Sequence, residues 1–167
     1  MKLSIVDKDG NPADVAYATK HSAGFDIKAD LSAMPVGHQC VRLQLDGGPK
    51  KIPTGLFIKA EGEVENGMVP ALFITPRSGM SLDGWTVSNS PGLIDADYKG
   101  EIMIILNRGK AGGGGAKVKI DHGDKIAQGV FIMVPRFDVP AEEVERGEGG
   151  FGSTDAKKIV TPPTKKK

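Results

Sequence analysis

Glycine and proline punctuate this chain so densely that a long helix has no room between them. Its 167 residues include 23 glycines and 11 prolines, about a fifth of the chain, where average proteins carry roughly 12%. In a helix interior glycine costs about 1 kcal/mol and proline about 3. Between these breakers the apolar residues fall into short runs. Leu3 and Ile5 alternate with polar neighbours, as do Val41, Leu43 and Leu45, and as do Val118 and Ile120 between Lys117 and Lys119. Nearly continuous apolar runs occupy 56–58, 69–74, 102–106 and 130–134. They are rich in β-branched residues and bounded by Gly, Pro, Asn or Asp. They read as strands, some half buried and some fully buried. No window of about 12 residues carries a helical stripe. The best helix candidate, 141–146, is little more than one turn. The expected fold class is all-β, as a barrel or a two-sheet sandwich.

Charge excludes one large class of function. The chain has 22 Lys and Arg against 21 Asp and Glu, a net charge of +1, so it is not a strongly basic nucleic-acid binder. Cys40 is the single cysteine. That rules out an intrachain disulfide and a Cys-rich zinc ribbon, and fits a reducing compartment. No apolar run approaches the roughly 18 residues of a membrane span, and the first residues turn polar by Asp7, which leaves no signal-peptide core. A soluble cytoplasmic protein without membrane or nucleic-acid partners is expected. The expected organisation is a β-domain over 1–140, a glycine-rich C-terminal arm over 141–155 and a tail over 156–167. Five lysines and no acid mark that tail as a solvated terminus. The stretch 111–116, with Gly112 to Gly115 in a row, reads as a mobile loop on a hairpin.

Familiar motifs fail on inspection. The glycines before Lys117 suggest a phosphate-binding loop, but Val118 stands where a metal-binding Ser or Thr is needed. Gly147, Gly149 and Gly152 match a dinucleotide-binding glycine pattern without the flanking strand and helix it requires. His21, His38 and His122 lack metal-ligand spacing and read as surface or satisfied histidines.

Five polar, small-residue-rich segments lie beside the strand-like runs. They are AGFD at 23–26, PRSG at 76–79, GLIDADYKG at 92–100, GDKIAQ at 123–128 and RGEGGFGS at 146–153. Arg77, Lys125 and Arg146 supply cations, and Ser78, Gln128 and Ser153 supply neutral donors. Asp26, Asp95 and Asp97 supply carboxylates for a hard metal or a water. Tyr98 and Phe151 supply flat faces for a sugar and a base. Glycines let backbone N–H groups approach a ligand closely. Together these pieces suit a nucleoside polyphosphate with Mg²⁺. Each piece alone reads as a turn or linker; their joint presence in this order carries the functional reading.

In order and spacing, the five segments resemble the five motifs of the homotrimeric dUTPases, from about Ala23 to Thr154. The resemblance implies a distorted jelly-roll β-barrel, a homotrimer with shared active sites, and a C-terminal arm exchanged between subunits. It implies hydrolysis of dUTP to dUMP and pyrophosphate with Mg²⁺, which keeps uracil out of DNA and supplies dUMP for dTMP synthesis. Asp95 matches the carboxylate that orients the water attacking the α-phosphorus. Ser78, with Gly79 beside it, matches the contact to the α–β bridge. Arg77 and Gln128 match phosphate contacts. Asp26 matches the aspartate near the waters of the metal, which the triphosphate mostly holds. Asn89, Gly92, Ile94 and Met103 fall on the hairpin over 89–103 that matches the uracil pocket, and Tyr98 matches the residue under deoxyribose. On the arm, Arg146 matches the γ-phosphate contact and Phe151 the aromatic over uracil, with Gly152 and Ser153 following. Asp97 is less well supported; it shares a face with Asp95 only if their strand runs regularly through both.

Met80 and Ser81 stand where Leu-Ala is more typical, Lys99 where Arg is common, and the 111–116 loop and lysine tail are unusual for the family. The alternative activity on this fold is dCTP deamination, alone or combined with dUTP hydrolysis. It needs a glutamate working on a water at the base, and Glu101 is the only candidate in the hairpin. An added protein-binding role on the same scaffold is the alternative from another class.

Overall fold

Short strands joined by turns are what the structure contains. It is a computed structural model and describes residues 1–42, 48–64, 66–109, 119–137 and 147–149. In chain order the strands are β1 (Lys2–Val6), β2 (Phe25–Lys28), β3 (Cys40–Arg42), β4 (Lys50–Ile52), β5 (Phe57–Glu61), β6 (Met68–Thr75), β7 (Trp85–Val87), β8 (Gly92–Asp95), β9 (Ile104–Arg108), β10 (Lys119–Asp121) and β11 (Lys125–Pro135). One helical turn, α1 (Ser78–Leu82), follows β6. Every strand pairing is antiparallel. The four-stranded sheet runs β2-β11-β6-β8, the three-stranded sheet β4-β9-β7, and two pairs, β1-β5 and β10-β3, complete the set. The all-β expectation holds.

Apolar alternation decides which face of each strand turns inward. On β6, Leu72 and Ile74 enter the core; on β9, Ile104 and Leu106 do. Ile27 from β2, Ile52 from β4, Trp85 from β7, and Ile120 and Ile126 meet them there, each fully buried. The sheets thus close around one contiguous apolar interior. Gly129 is glycine for want of space: a Cβ there would sit 2.5 Å from Cζ of Phe25. Phe25 pairs with Gly129 across β2 and β11 and packs against Phe131, ring centroids 5.7 Å apart.

Several elements differ from the sequence expectation. Ser78–Leu82 forms a helical turn where PRSG reads as a plain turn. The last strand is longer than its apolar run, extending from Lys125 to Pro135. The regular strand at the DADY segment stops at Asp95, and Asp97 lies exposed in the turn beyond, so the two carboxylates do not share a strand face. The 111–116 loop, the helix candidate 141–146 and the 156–167 tail lie outside the described residues.

Candidate active site

The four-stranded sheet places the chemistry-bearing residues on its outer face. Gln128 of β11 is the Cα partner of both Asp26 on β2 and Thr75 on β6, so these three form one rung. Their neighbours Phe25, Ile27, Ile74 and Ala127 belong to the core, which turns the rung outward. Two residues past Thr75, Arg77 precedes α1 and folds back. Its Nε donates to Oδ1 of Asp26 at 2.8 Å, and its Nη1 donates to the Lys125 carbonyl at 3.2 Å.

Lys125 reaches the same carboxylate because the strand is irregular. The β11–β2 register shifts between Lys125 and Ala127, a bulge that re-aims a side chain. Its Nζ lies 2.8 Å from Oδ2 of Asp26. The Asp26 side chain is only 10% exposed. That burial alone would raise its pKa. The Lys125 hydrogen bond and the charges of Arg77 and Lys125 outweigh it and hold the carboxyl below its usual value. Ser78 and Gly79 lie exposed beside this group at the start of α1.

The second group lies at the other end of β6. Asp95 pairs with Ala71 and Leu93 with Phe73. Leu93 is exposed while Ile94 packs against the core, so Asp95 faces outward with Leu93. A hollow of about 600 Å³ lies here, lined by Val69, Ala71, Leu93 and Val134 together with Asp95 and Arg136. Tyr98 is buried; its backbone N–H donates to the Asp95 carbonyl at 3.1 Å and its hydroxyl to the Glu101 carbonyl at 3.2 Å. At the near end of the hairpin, Asn89 lies over Gly92, where a Cβ would meet its Nδ2 at 3.2 Å. Met103 is half-buried just before β9.

The structure therefore brings Asp26, Arg77, Ser78 and Gln128 together, and holds Asp95 and Tyr98 apart from them. Four residues of β6 separate the Asp95 rung from the Gln128 rung, about 13 Å at 3.3 Å per residue. Three strand spacings, roughly 14 Å, separate β8 from β2. Arg146, Phe151, Gly152 and Ser153 lie outside the described residues. Lys125 as a partner of Asp26 was not legible in the sequence. The segment GDKIAQ offered it as a cation, but the bulge that turns it leaves no composition signal.

Glu101 is committed elsewhere. Its Oε1 accepts the backbone N–H groups of Thr54 at 2.9 Å and Gly55 at 2.7 Å. Next to it, the Thr54 hydroxyl donates to the Ile102 carbonyl at 2.6 Å. This carboxylate clamps the loop before β5 to the hairpin. Of the histidines, His21 and His38 are exposed, and His122 accepts the Leu31 N–H through Nδ1 at 3.0 Å.

A sequence model of the dUTPase family matches residues 11–155. A deoxyuridine 5′-triphosphate nucleotidohydrolase from Rickettsia bellii is 42% identical over 147 residues, spanning 83% of this chain and 84% of the relative. The chain belongs to the dUTPase family. The Rickettsia rickettsii protein of the same description is 40% identical over 144 residues, covering 83% of this chain and 85% of its own. Solved structures agree on the fold. The EIAV dUTPase superposes with a TM-score of 0.59 at 22% identity, covering 85% of this chain and 98% of that one. The dUTPase of Streptococcus mutans does so with a TM-score of 0.58 at 22% identity, covering 81% and 99%. A variant dUTPase of phage phi11 of S. aureus, described as revealing the coordination of a structural Mg(II) ion, gives a TM-score of 0.56 at 23% identity, covering 89% and 100%.

Proposed function

We propose that this protein hydrolyses dUTP to dUMP and pyrophosphate in the cytoplasm, as a homotrimer whose active sites each draw on more than one subunit. One observation carries the reading beyond family membership. The acid and the cations needed for anhydride hydrolysis lie on one outer sheet face but at opposite ends of it. Reacting atoms must approach within about 3–3.5 Å, and no single copy brings Asp95 that close to Arg77. Between the two ends the face is apolar: Phe73, Leu93, Val130 and Ile132 lie on adjoining outward rungs. Covering that face with further copies buries the apolar strip and sets Asp95 of one subunit against the cations of another.

In the assembled site, Asp95 orients a water toward the α-phosphorus and takes its proton. Arg77, Gln128 and the Ser78 hydroxyl hold the phosphates and stabilise the charge that develops on the leaving pyrophosphate. Asn89, Gly92, Ile94 and Met103 frame the uracil. The buried Tyr98 ring closes the space where a ribose 2′-hydroxyl would go. Arg146 and Phe151, with Gly79, Gly152 and Ser153, complete the contacts, with residues 141–155 acting as an arm that serves the site of a neighbour.

Among the described residues no group of three or more His, Cys, Asp or Glu side chains could hold a metal ion. Mg²⁺ carried by the triphosphate would, when bound, neutralise phosphate charge. Among the described residues no helix is long and apolar enough to cross a membrane. The deaminase alternative is disfavoured by Glu101, whose Oε1 already takes two backbone N–H groups.

The test is pyrophosphate release from dUTP, dCTP, dTTP and UTP in parallel, with Mg²⁺ and with EDTA. Release confined to dUTP supports the proposal. Release from none, in a folded trimer, or ammonia from dCTP, would overturn it.

A further inference from the structure

The carboxylate of Asp26 is already shared. Each of its oxygens takes one cation at 2.8 Å, Arg77 through Nε and Lys125 through Nζ. Its side chain is 10% exposed, whereas those of Arg77 and Lys125 are 31% and 48% exposed. The acid lies beneath and the cations lie above it, open to solvent. An arginine carries five N–H donors in a rigid fork. Nε–H and one Nη1–H of Arg77 are spent on Asp26 and on the Lys125 carbonyl. The rest of the fork, including all of Nη2, makes no hydrogen bond among the described residues. Lys125 likewise spends one of its three donors on Asp26. The trio has a net charge of +1, and two long, flexible side chains are fixed in it before any ligand arrives.

We propose that Asp26 is a positioning residue: it pre-orders Arg77 and Lys125 as a paired phosphate clamp, and Lys125 is a further phosphate-contacting residue. Holding the fork in place removes ordering entropy that binding would otherwise pay, and it lets like charges stand side by side without splaying. A role through metal-bound water would draw the same carboxylate toward the metal and away from a cation it now holds. The two roles therefore separate experimentally.

This inference rests on the dUTP reading, which wild-type pyrophosphate release tests by itself. The probe is a non-hydrolysable α,β-imido analogue of dUTP, titrated in EDTA, where metal coordination cannot contribute. Asp26→Asn is expected to weaken analogue binding about 10-fold in EDTA. In Mg²⁺ it should raise KM more than it lowers kcat and leave the half-saturating Mg²⁺ concentration unchanged. In an Arg77→Ala background the same substitution should cost clearly less than it does alone, because only Lys125 is then left for it to release. Lys125→Ala should weaken analogue binding in EDTA by a similar factor. If Asp26→Asn does not fold, Arg77→Lys serves instead: it keeps a charge but has no Nε to lie on Asp26, and should lose affinity similarly. Unchanged affinity in EDTA with a raised Mg²⁺ requirement would overturn the proposal in favour of a metal role, and additive losses in the double variant would overturn the positioning argument.

Discussion

Replacing Glu101 by alanine strips the acceptor from two neighbouring backbone N–H groups. Thr54 and Gly55 donate to the same Oε1, at 2.9 and 2.7 Å, and Thr54 is 6% exposed. Each donor left without a partner in such a setting costs about 1–3 kcal/mol. Water reaches this part-buried loop to some extent, so the lower half of the summed range applies, about 2–4 kcal/mol. For a chain of this length each kcal/mol shifts Tm by about 2–4 °C, which gives a fall of roughly 5–15 °C. Glu101→Gln keeps an oxygen acceptor and loses only the charge assistance, so it should lose about 1 kcal/mol. Calorimetry measures both shifts, and pyrophosphate release at 25 °C, well below the transitions, measures activity. Hydrolysis should stay within about threefold of wild type for Glu101→Gln, since the carboxylate faces a loop and not the base. A Glu101→Gln protein with unchanged Tm and abolished turnover would refute the clamp and return Glu101 to chemistry at the base.

Asp95→Asn should lower kcat by about 10²–10⁴-fold while the imido analogue still binds; an unchanged rate would remove Asp95 from the role of orienting water. Ending the chain before Arg146 should leave a folded barrel by circular dichroism with hydrolysis reduced about 10²-fold or more, and full turnover in that variant would refute the closing arm. Because the folded pKa of Asp26 is lowered, its ion pairs contribute fully above the ordinary carboxyl pKa of about 4 and are lost as pH falls further. Acid unfolding curves of Asp26→Asn should therefore be flatter than wild type below about pH 4, and parallel curves would contradict the assignment.

Long apolar runs were the most legible part of the fold. The runs at 69–74 and 130–134 became β6 and β11, and 102–106 largely became β9. Such runs have one way to bury their surface, whatever surrounds them. Two of the three-residue strands were not legible. Lys50–Ile52 and Trp85–Val87 carry too few residues to show a period, and they exist because β9 offers both edges to pair with. The helical turn at Ser78–Leu82 has no side-chain cap and no buried residue, so nothing in its composition announced it. At the site, the kinds of residue and their order were legible because each motif is local in sequence. Their division was not. Whether Asp95 lies near Arg77 depends on the register of β6 against β8 and β11, which is set by packing across the whole sheet. The partner of Lys125 depends on a one-residue bulge, and the partners of Glu101 on a loop 46 residues away.

The distance between the two ends of the outer sheet face has a genetic consequence. If each working centre takes its acid from one copy and its cations from another, a damaged copy spoils some centres and spares others. Subunits lacking Asp95 and subunits lacking Arg77, each inert alone, would rescue one another when refolded as a mixture. At equal amounts, about a quarter of the centres would combine an intact half from each parent. Inheritance of two different defective copies would then be milder than inheritance of either one twice.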